Sequence, residues 1–105
     1  MQWLHSPFEI NSFIAVHWNI NYILTEGRLE ELIENLRTLK CHVVILTESK
    51  LDHSIPSNLL TLPGFHEPLR RDRNRHGGGC LVYISQQLTF KQQSQIQSDF
   101  FFTFL

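Results

Sequence analysis

The period of the apolar residues changes twice between Ile14 and Leu46, and this constrains the fold more than any other feature of the sequence. Ile14, Val16, Trp18 and Ile20 stand at every second position, the spacing of a strand that buries one face. Ala15, His17, Asn19 and Asn21 share its other face. Leu29, Leu32, Ile33, Leu36 and Leu39 then recur at helical spacing. Glu26, Glu30 and Glu31 stand early in that stretch and Arg37 and Lys40 late, as the helix dipole favours, and Thr25 is the expected N-cap. Next, Val43-Val44-Ile45-Leu46 is apolar without a break, as central strands covered on both faces are. Strand, helix and strand make a βαβ unit with parallel strands, and the fold class expected is α/β.

With 105 residues, 42% of them hydrophobic, the chain has material for one core and not for two. A formal charge of -1 excludes a generally basic nucleic-acid coat, so affinity for phosphate has to come from a local patch. Residues 70–76 supply one. Cys41 and Cys80 sit beside apolar runs and form no CxxC pair, which fits reduced thiols in an intracellular protein. Residues 1–10 contain no lysine or arginine and are interrupted by His5, Pro7 and Glu9. Neither a signal peptide nor a membrane span is expected there, residues 1–12 read as an N-terminal extension, and the compartment expected is the nucleus or cytoplasm.

Beyond Glu48 the pattern loosens. Asp52, Ser54, Pro56, Ser57 and Asn58 mark a loop with no regular element, and Leu62-Pro63-Gly64-Phe65 marks a turn. The basic segment Arg70-Arg71-Asp72-Arg73-Asn74-Arg75-His76 runs into Gly77-Gly78-Gly79. Cys80-Leu81-Val82-Tyr83-Ile84 has strand composition. A short strand from Leu88 to Lys91 is expected to pair with it. Residues 86–98 are rich in Gln and Ser, and residues 99–105 have strand composition with no closing turn, as in a chain cut within a strand.

Parallel strands of a βαβ unit end at one edge of the sheet, where open α/β folds place their ligands. Asn19 and Asn21 end the first strand and Glu48 the second. One carboxylate and two carboxamides are hard oxygen donors suited to Mg²⁺ or Mn²⁺ rather than zinc. The plainer alternative is a solvated glutamate beside two turn-forming asparagines. The arginines Arg70, Arg71, Arg73 and Arg75 suit a phosphate-facing surface or a solvated loop. The three glycines lack the Gly-Lys-Ser/Thr ending of a phosphate-binding loop, and relaxing the backbone into the Cys80 strand is their expected role. A zinc site from Cys41, His42, His76 and Cys80 matches no usual ligand spacing. His17 shares a face with Asn19 and is expected to be a packed or hydrogen-bonded structural residue.

The run His17-Trp18-Asn19-Ile20-Asn21, a helix, and then Ile45-Leu46-Thr47-Glu48-Ser49-Lys50-Leu51 resemble the first two motifs of the endonuclease/exonuclease/phosphatase superfamily. Leu62-Pro63-Gly64-Phe65, the segment from Arg70 through Gly79, and Tyr83 look like the endonuclease domain of non-LTR retrotransposon polyproteins. The resemblance runs from about Phe13 to about Leu88. It implies that residues 13–105 are the first half of a two-sheet αββα sandwich of the exonuclease-type abasic endonuclease fold. Its implied activity is phosphodiester hydrolysis that nicks target DNA. Glu48 would bind Mg²⁺ or Mn²⁺ with Asn19, and Asn19 and Asn21 would orient the metal, its water or the scissile phosphate. Arg70, Arg71, Arg73 and Arg75 would contact the DNA backbone. A reverse transcriptase domain of the same polyprotein would be its partner in a full-length version.

The family takes its base from a late His paired with Asp, and further contacts from a Tyr and an Asp-x-Asn motif. Late in this chain these motifs do not occur: Asp99 is not followed two residues on by Asn, and there is no Ser-Asp-His triplet. The isolated chain is therefore expected to be weak or inactive. Tyr22, where the family often has a small residue, and Cys80, where an aliphatic is usual, are smaller departures. Two other readings are a non-catalytic retrotransposon remnant that binds nucleic acid through residues 70–75, and another phosphoesterase of the same superfamily.

Overall fold

The computed structural model describes residues 4–10, 13–93 and 101–104. It is a mixed α/β domain with one α-helix, one mixed sheet and a separate two-stranded sheet. The chain order is β1 (Leu4–Ile10), β2 (Phe13–Asn19), α1 (Arg28–Thr38), β3 (Val43–Thr47), β4 (Leu69–Arg71), β5 (Cys80–Ile84), β6 (Phe90–Gln93) and β7 (Phe101–Phe104). In the larger sheet the order is β1-β2-β3-β5-β4. The pair β2 and β3 is parallel, with Asn19 opposite Thr47. The antiparallel pairs are β1 with β2, β3 with β5, and β5 with β4. The expected βαβ unit is therefore present, and it sets the two strand ends side by side.

Residues at alternate positions feed two clusters, one on each face of the sheet. On one face Val16, Trp18, Val44, Leu46, Leu81 and Tyr83 pack with Leu32 of α1, and Leu29, Ile33, Leu36 and Leu39 flank the contact. Each of these large side chains contributes on the order of 1.5–3 kcal/mol when it leaves water. The opposite face carries Val43, Val82 and Ile84, with Ala15, Ile45, Leu69, Leu88 and Phe90 against them.

Several elements differ from the sequence reading. Helix α1 begins at Arg28 behind Gly27, which adopts φ 80, and not behind Thr25. The carbonyl of Thr25 instead closes a turn by accepting Arg28 N–H at 2.9 Å. Within the stretch expected to be extension, Leu4–Ile10 pairs with β2. A turn of 3₁₀ helix, Ser57–Leu60, lies within the expected loop, and β4 forms from the first basic residues. The strand expected near Leu88 starts at Phe90 and pairs with β7, not with β5. Of the strand expected over 99–105, residues 101–104 are β7 and the rest lie outside the described residues.

Tyr83 joins the sheet to the 3₁₀ turn. It is fully buried, its ring meets Phe65 edge-on at 6.3 Å, and its hydroxyl donates to the Leu60 carbonyl at 2.6 Å. Burial pushes this phenol far above its ordinary pKa, with Arg70 pulling weakly the other way, so it acts as a neutral donor. Tyr83→Phe is expected to cost about 1–2 kcal/mol, because the Leu60 carbonyl loses its partner. Urea unfolding of the two proteins measures it.

Candidate phosphodiester site at the sheet edge

Asn19, Asn21 and Glu48 meet at the edge where β2 and β3 end. Backbone bonds continue the pairing past both strands: Ile20 N–H donates to Thr47 O at 2.9 Å and Tyr22 N–H to Glu48 O at 2.8 Å. The chain turns here through four non-glycine residues with positive φ: Asn21 at 45°, Tyr22 at 74°, Glu48 at 57° and Lys50 at 56°. An asparagine adopts this region at little cost, whereas Tyr, Glu and Lys each give up on the order of 1–2 kcal/mol. Strain of that kind persists only where surrounding structure enforces it, and it gathers at functional sites.

Neighbouring groups fix the polar side chains of the edge. Asn19 Oδ1 accepts the Asn21 N–H at 3.2 Å, and Lys50 Nζ donates to Asn21 Oδ1 at 2.7 Å. Glu48 Oε2 accepts the Gly78 N–H at 3.1 Å, while Lys50 N–H donates to Gly78 O at 2.9 Å. The glycines are thus part of the site's frame: Gly78 and Gly79 have φ of 72° and 94°. Ser49 is fully buried beneath them, and among the described residues its hydroxyl has no hydrogen-bond partner.

The four arginines divide. Arg70 is turned inward, with only 15% of its side chain exposed, and its guanidinium bonds Asp72, the carbonyls of Asp52 and Ile55, and Ser57. Its fork serves the fold, although the sequence reading grouped it with the DNA contacts. Arg71, Arg73 and Arg75 are exposed. The stem of Arg73 lies over Gly78, and Arg75 pairs with Asp52 at 3.0 Å. Hydrogen bonds from the Ser54 hydroxyl and amide, with Arg75 and His53 adding charge, hold the Asp52 carboxyl below its usual pKa.

His17 has the structural role expected of it, sharing a 3.0 Å hydrogen bond with the Thr47 hydroxyl. Cys41 stands two residues before β3 and Cys80 pairs with Thr47, the last of its five residues, so the length of β3, roughly 13 Å or more, separates the two positions. That separation rules out both a disulfide between them and the four-residue zinc site. Burial pushes the Cys41 thiol up to about 11 and also raises that of Cys80.

Among the described residues no group of three or more His, Cys, Asp and Glu side chains is placed to hold a metal ion, and no helix is long and apolar enough to cross a membrane. Among the described residues Glu48 nevertheless keeps one carboxylate oxygen without a hydrogen-bond partner. A single carboxylate suits Mg²⁺, which retains several waters and takes further oxygens from substrate phosphate. No protein-family model and no curated protein matches the sequence.

Proposed function

We propose that this chain is part of a divalent-metal-dependent DNA endonuclease of the non-LTR retrotransposon kind, hydrolysing phosphodiesters to nick target DNA. One observation carries the reading. The glycine end of the basic loop is laced to the Glu48 segment by Gly78 N–H to Glu48 Oε2 and Lys50 N–H to Gly78 O. Exposed arginines are thereby tethered beside the carboxylate and two carboxamides that a phosphodiester hydrolase needs. Glu48 would hold Mg²⁺ or Mn²⁺ with Asn19 beside it. When bound, the ion offsets charge on the phosphoryl oxygens and the leaving group. Arg71, Arg73 and Arg75 bind the DNA backbone and fix its register, and Asn19 and Asn21 position the scissile phosphate.

The second apolar face of the sheet, with Val43, Ile45, Val82 and Ile84 packed beneath Leu88 and Phe90, supports the further reading that this is the first half of a two-sheet sandwich. A Ser-Asp-His triplet is absent from these 105 residues, and their one Asp-x-Asn, Asp72-Arg73-Asn74, stands in the basic loop before β5 and not late in the chain, so the isolated chain is expected to nick weakly or not at all. Its place of action on this reading is the nucleus or cytoplasm, with a reverse transcriptase domain as partner in the complete polyprotein.

The test is Mn²⁺ binding followed by water-proton relaxation, with and without duplex DNA, for the chain and its Glu48→Gln variant. The expected result is weak binding that strengthens with DNA and falls at least about tenfold in the variant, the loss of one charged ligand. Equal binding by the variant would defeat the metal assignment. Robust Mg²⁺-dependent nicking abolished by Glu48→Ala would instead overturn the expected weakness of the isolated chain. The exposure of Arg71, Arg73 and Arg75 also favours a second reading, a non-catalytic remnant that binds nucleic acid through this loop. Salt-sensitive DNA binding that survives Glu48→Ala and is lost with the arginines would support it.

A further inference from the structure

Hydrogen-bond chemistry fixes which way the two edge asparagines face. A backbone N–H and a lysine ammonium can only donate. The atom that accepts the Asn21 N–H at 3.2 Å is therefore the oxygen of Asn19, and the atom that accepts Lys50 Nζ at 2.7 Å is the oxygen of Asn21. Each carboxamide oxygen already accepts one hydrogen bond within the protein, whereas the two NH₂ groups have no partner among the described residues and are left to donate to a ligand. Lys50 is itself held, half-buried, with its N–H on Gly78 O at 2.9 Å. Lys50 also offsets the formal charge of Glu48 two residues away, so metal binding at this edge is expected to be weak until substrate phosphate adds its charge.

We propose that Lys50 is a positioning residue: it holds the Asn21 carboxamide oxygen inward, so that Asn21 and Asn19 present N–H donors to the phosphodiester of bound DNA. The proposal rests on the reading of this edge as a phosphodiester site. It assigns the asparagines to phosphate oxygens, leaves the metal to Glu48 and substrate, and makes anion recognition independent of the metal. Removing Lys50 frees the Asn21 carboxamide to rotate, and a rotated amide meets a phosphate with its oxygen, which repels.

The experiment uses the full chain, labelled with ¹⁵N, titrated with a short DNA duplex in EDTA, so the clamp is read without the metal. Wild-type side-chain NH₂ resonances of Asn19 and Asn21 are expected to shift on titration. Lys50→Met is expected to weaken DNA binding about tenfold, the equivalent of one charge-assisted hydrogen bond, and to abolish the Asn21 shift. Lys50→Arg, which keeps a cationic donor, restores most of both. Lys40→Met removes the same charge at the opposite end of the sheet and is expected to change affinity less than threefold, within the screened range of a remote surface charge.

Equal losses in Lys50→Met and Lys40→Met, or an Asn21 NH₂ signal that DNA does not shift in the wild type, overturn the proposal. Mn²⁺ binding that is equal in the wild type and Glu48→Gln, with the clamp signals intact, would defeat the endonuclease reading and leave the clamp standing. Unfolding midpoints measured on the same samples separate loss of the clamp from loss of the fold.

Discussion

Arg70→Ala is expected to lower the unfolding free energy by about 3 kcal/mol, to be measured by urea denaturation followed through the buried Trp18. The expectation follows from where the guanidinium sits. Nη1 donates to Ile55 O at 2.5 Å and Ser57 Oγ at 3.2 Å, and Nη2 donates to Asp52 O at 3.1 Å. Asp72 takes Nε at 3.3 Å and Nη2 at 2.7 Å in a two-pronged pair. One side chain thus closes the 52–57 loop onto β4. Alanine strands two backbone carbonyls and leaves Asp72, 23% exposed, without its cation. Unpaired groups of this kind cost on the order of 1–3 kcal/mol each, reduced here by partial access of water.

Lysine is not expected to rescue Arg70, since a single ammonium cannot span the fork. Arg75, although paired with Asp52, is 69% exposed, and Arg75→Ala is expected to shift stability by less than about 0.5 kcal/mol. Equal effects at positions 70 and 75 would mean that the inward clamp does not form. The contrast also decides how the basic loop is to be tested. Loss of DNA binding in Arg70→Ala would report a loosened loop, so the phosphate contacts have to be read from Arg71, Arg73 and Arg75.

The same arginine shows where the sequence was legible and where it was not. Strand β2, helix α1 and strand β3 could be read because each buries a face that repeats with the period of its backbone, and repetition is visible without coordinates. β4 could not. Its three residues are Leu69-Arg70-Arg71, and nothing in a run of arginines says that one of them will turn inward to partners 13 to 18 residues back in the chain. β1 was hidden for a related reason, since Ser6 interrupts the alternation of Leu4, Phe8 and Ile10, Pro7 argues against a strand, and its pairing with β2 is not announced by either segment. At the edge, Asn19, Asn21 and Glu48 were found from topology, because a parallel pair must end on one side. Lys50 was not singled out, because its role depends on a left-handed backbone that lysine propensity does not announce. Asn21 and the glycines did carry a signal of positive φ, and Tyr22 carried the opposite one.

Gly79→Ala is expected to cost about 3 kcal/mol, and its effect is to be largest at the sheet edge. Two physical terms combine. The residue has φ 94, where a side chain loses on the order of 1–2 kcal/mol relative to glycine. A Cβ built there collides with the Ser49 hydroxyl and comes within 3.4 Å of Lys50 N and 3.5 Å of Arg71 O. Ser49 is fully buried and cannot step aside into solvent, so its hydroxyl has to turn within the packed core or the backbone has to move, an overpacking cost of about 1–3 kcal/mol. The displaced atoms belong to the segment that holds Glu48 and Lys50, so the variant is expected to lose Mn²⁺ binding and to shift the amide signals of Ser49, Lys50 and Gly78 before its fold is lost. Gly77→Ala provides the control, because no heavy atom lies within 4 Å of its Cβ and its φ is not positive; a change below about 0.5 kcal/mol is expected there. If the two variants unfold at the same urea concentration, Gly79 does not lock the Glu48 segment, and the strained geometry at this edge needs another source.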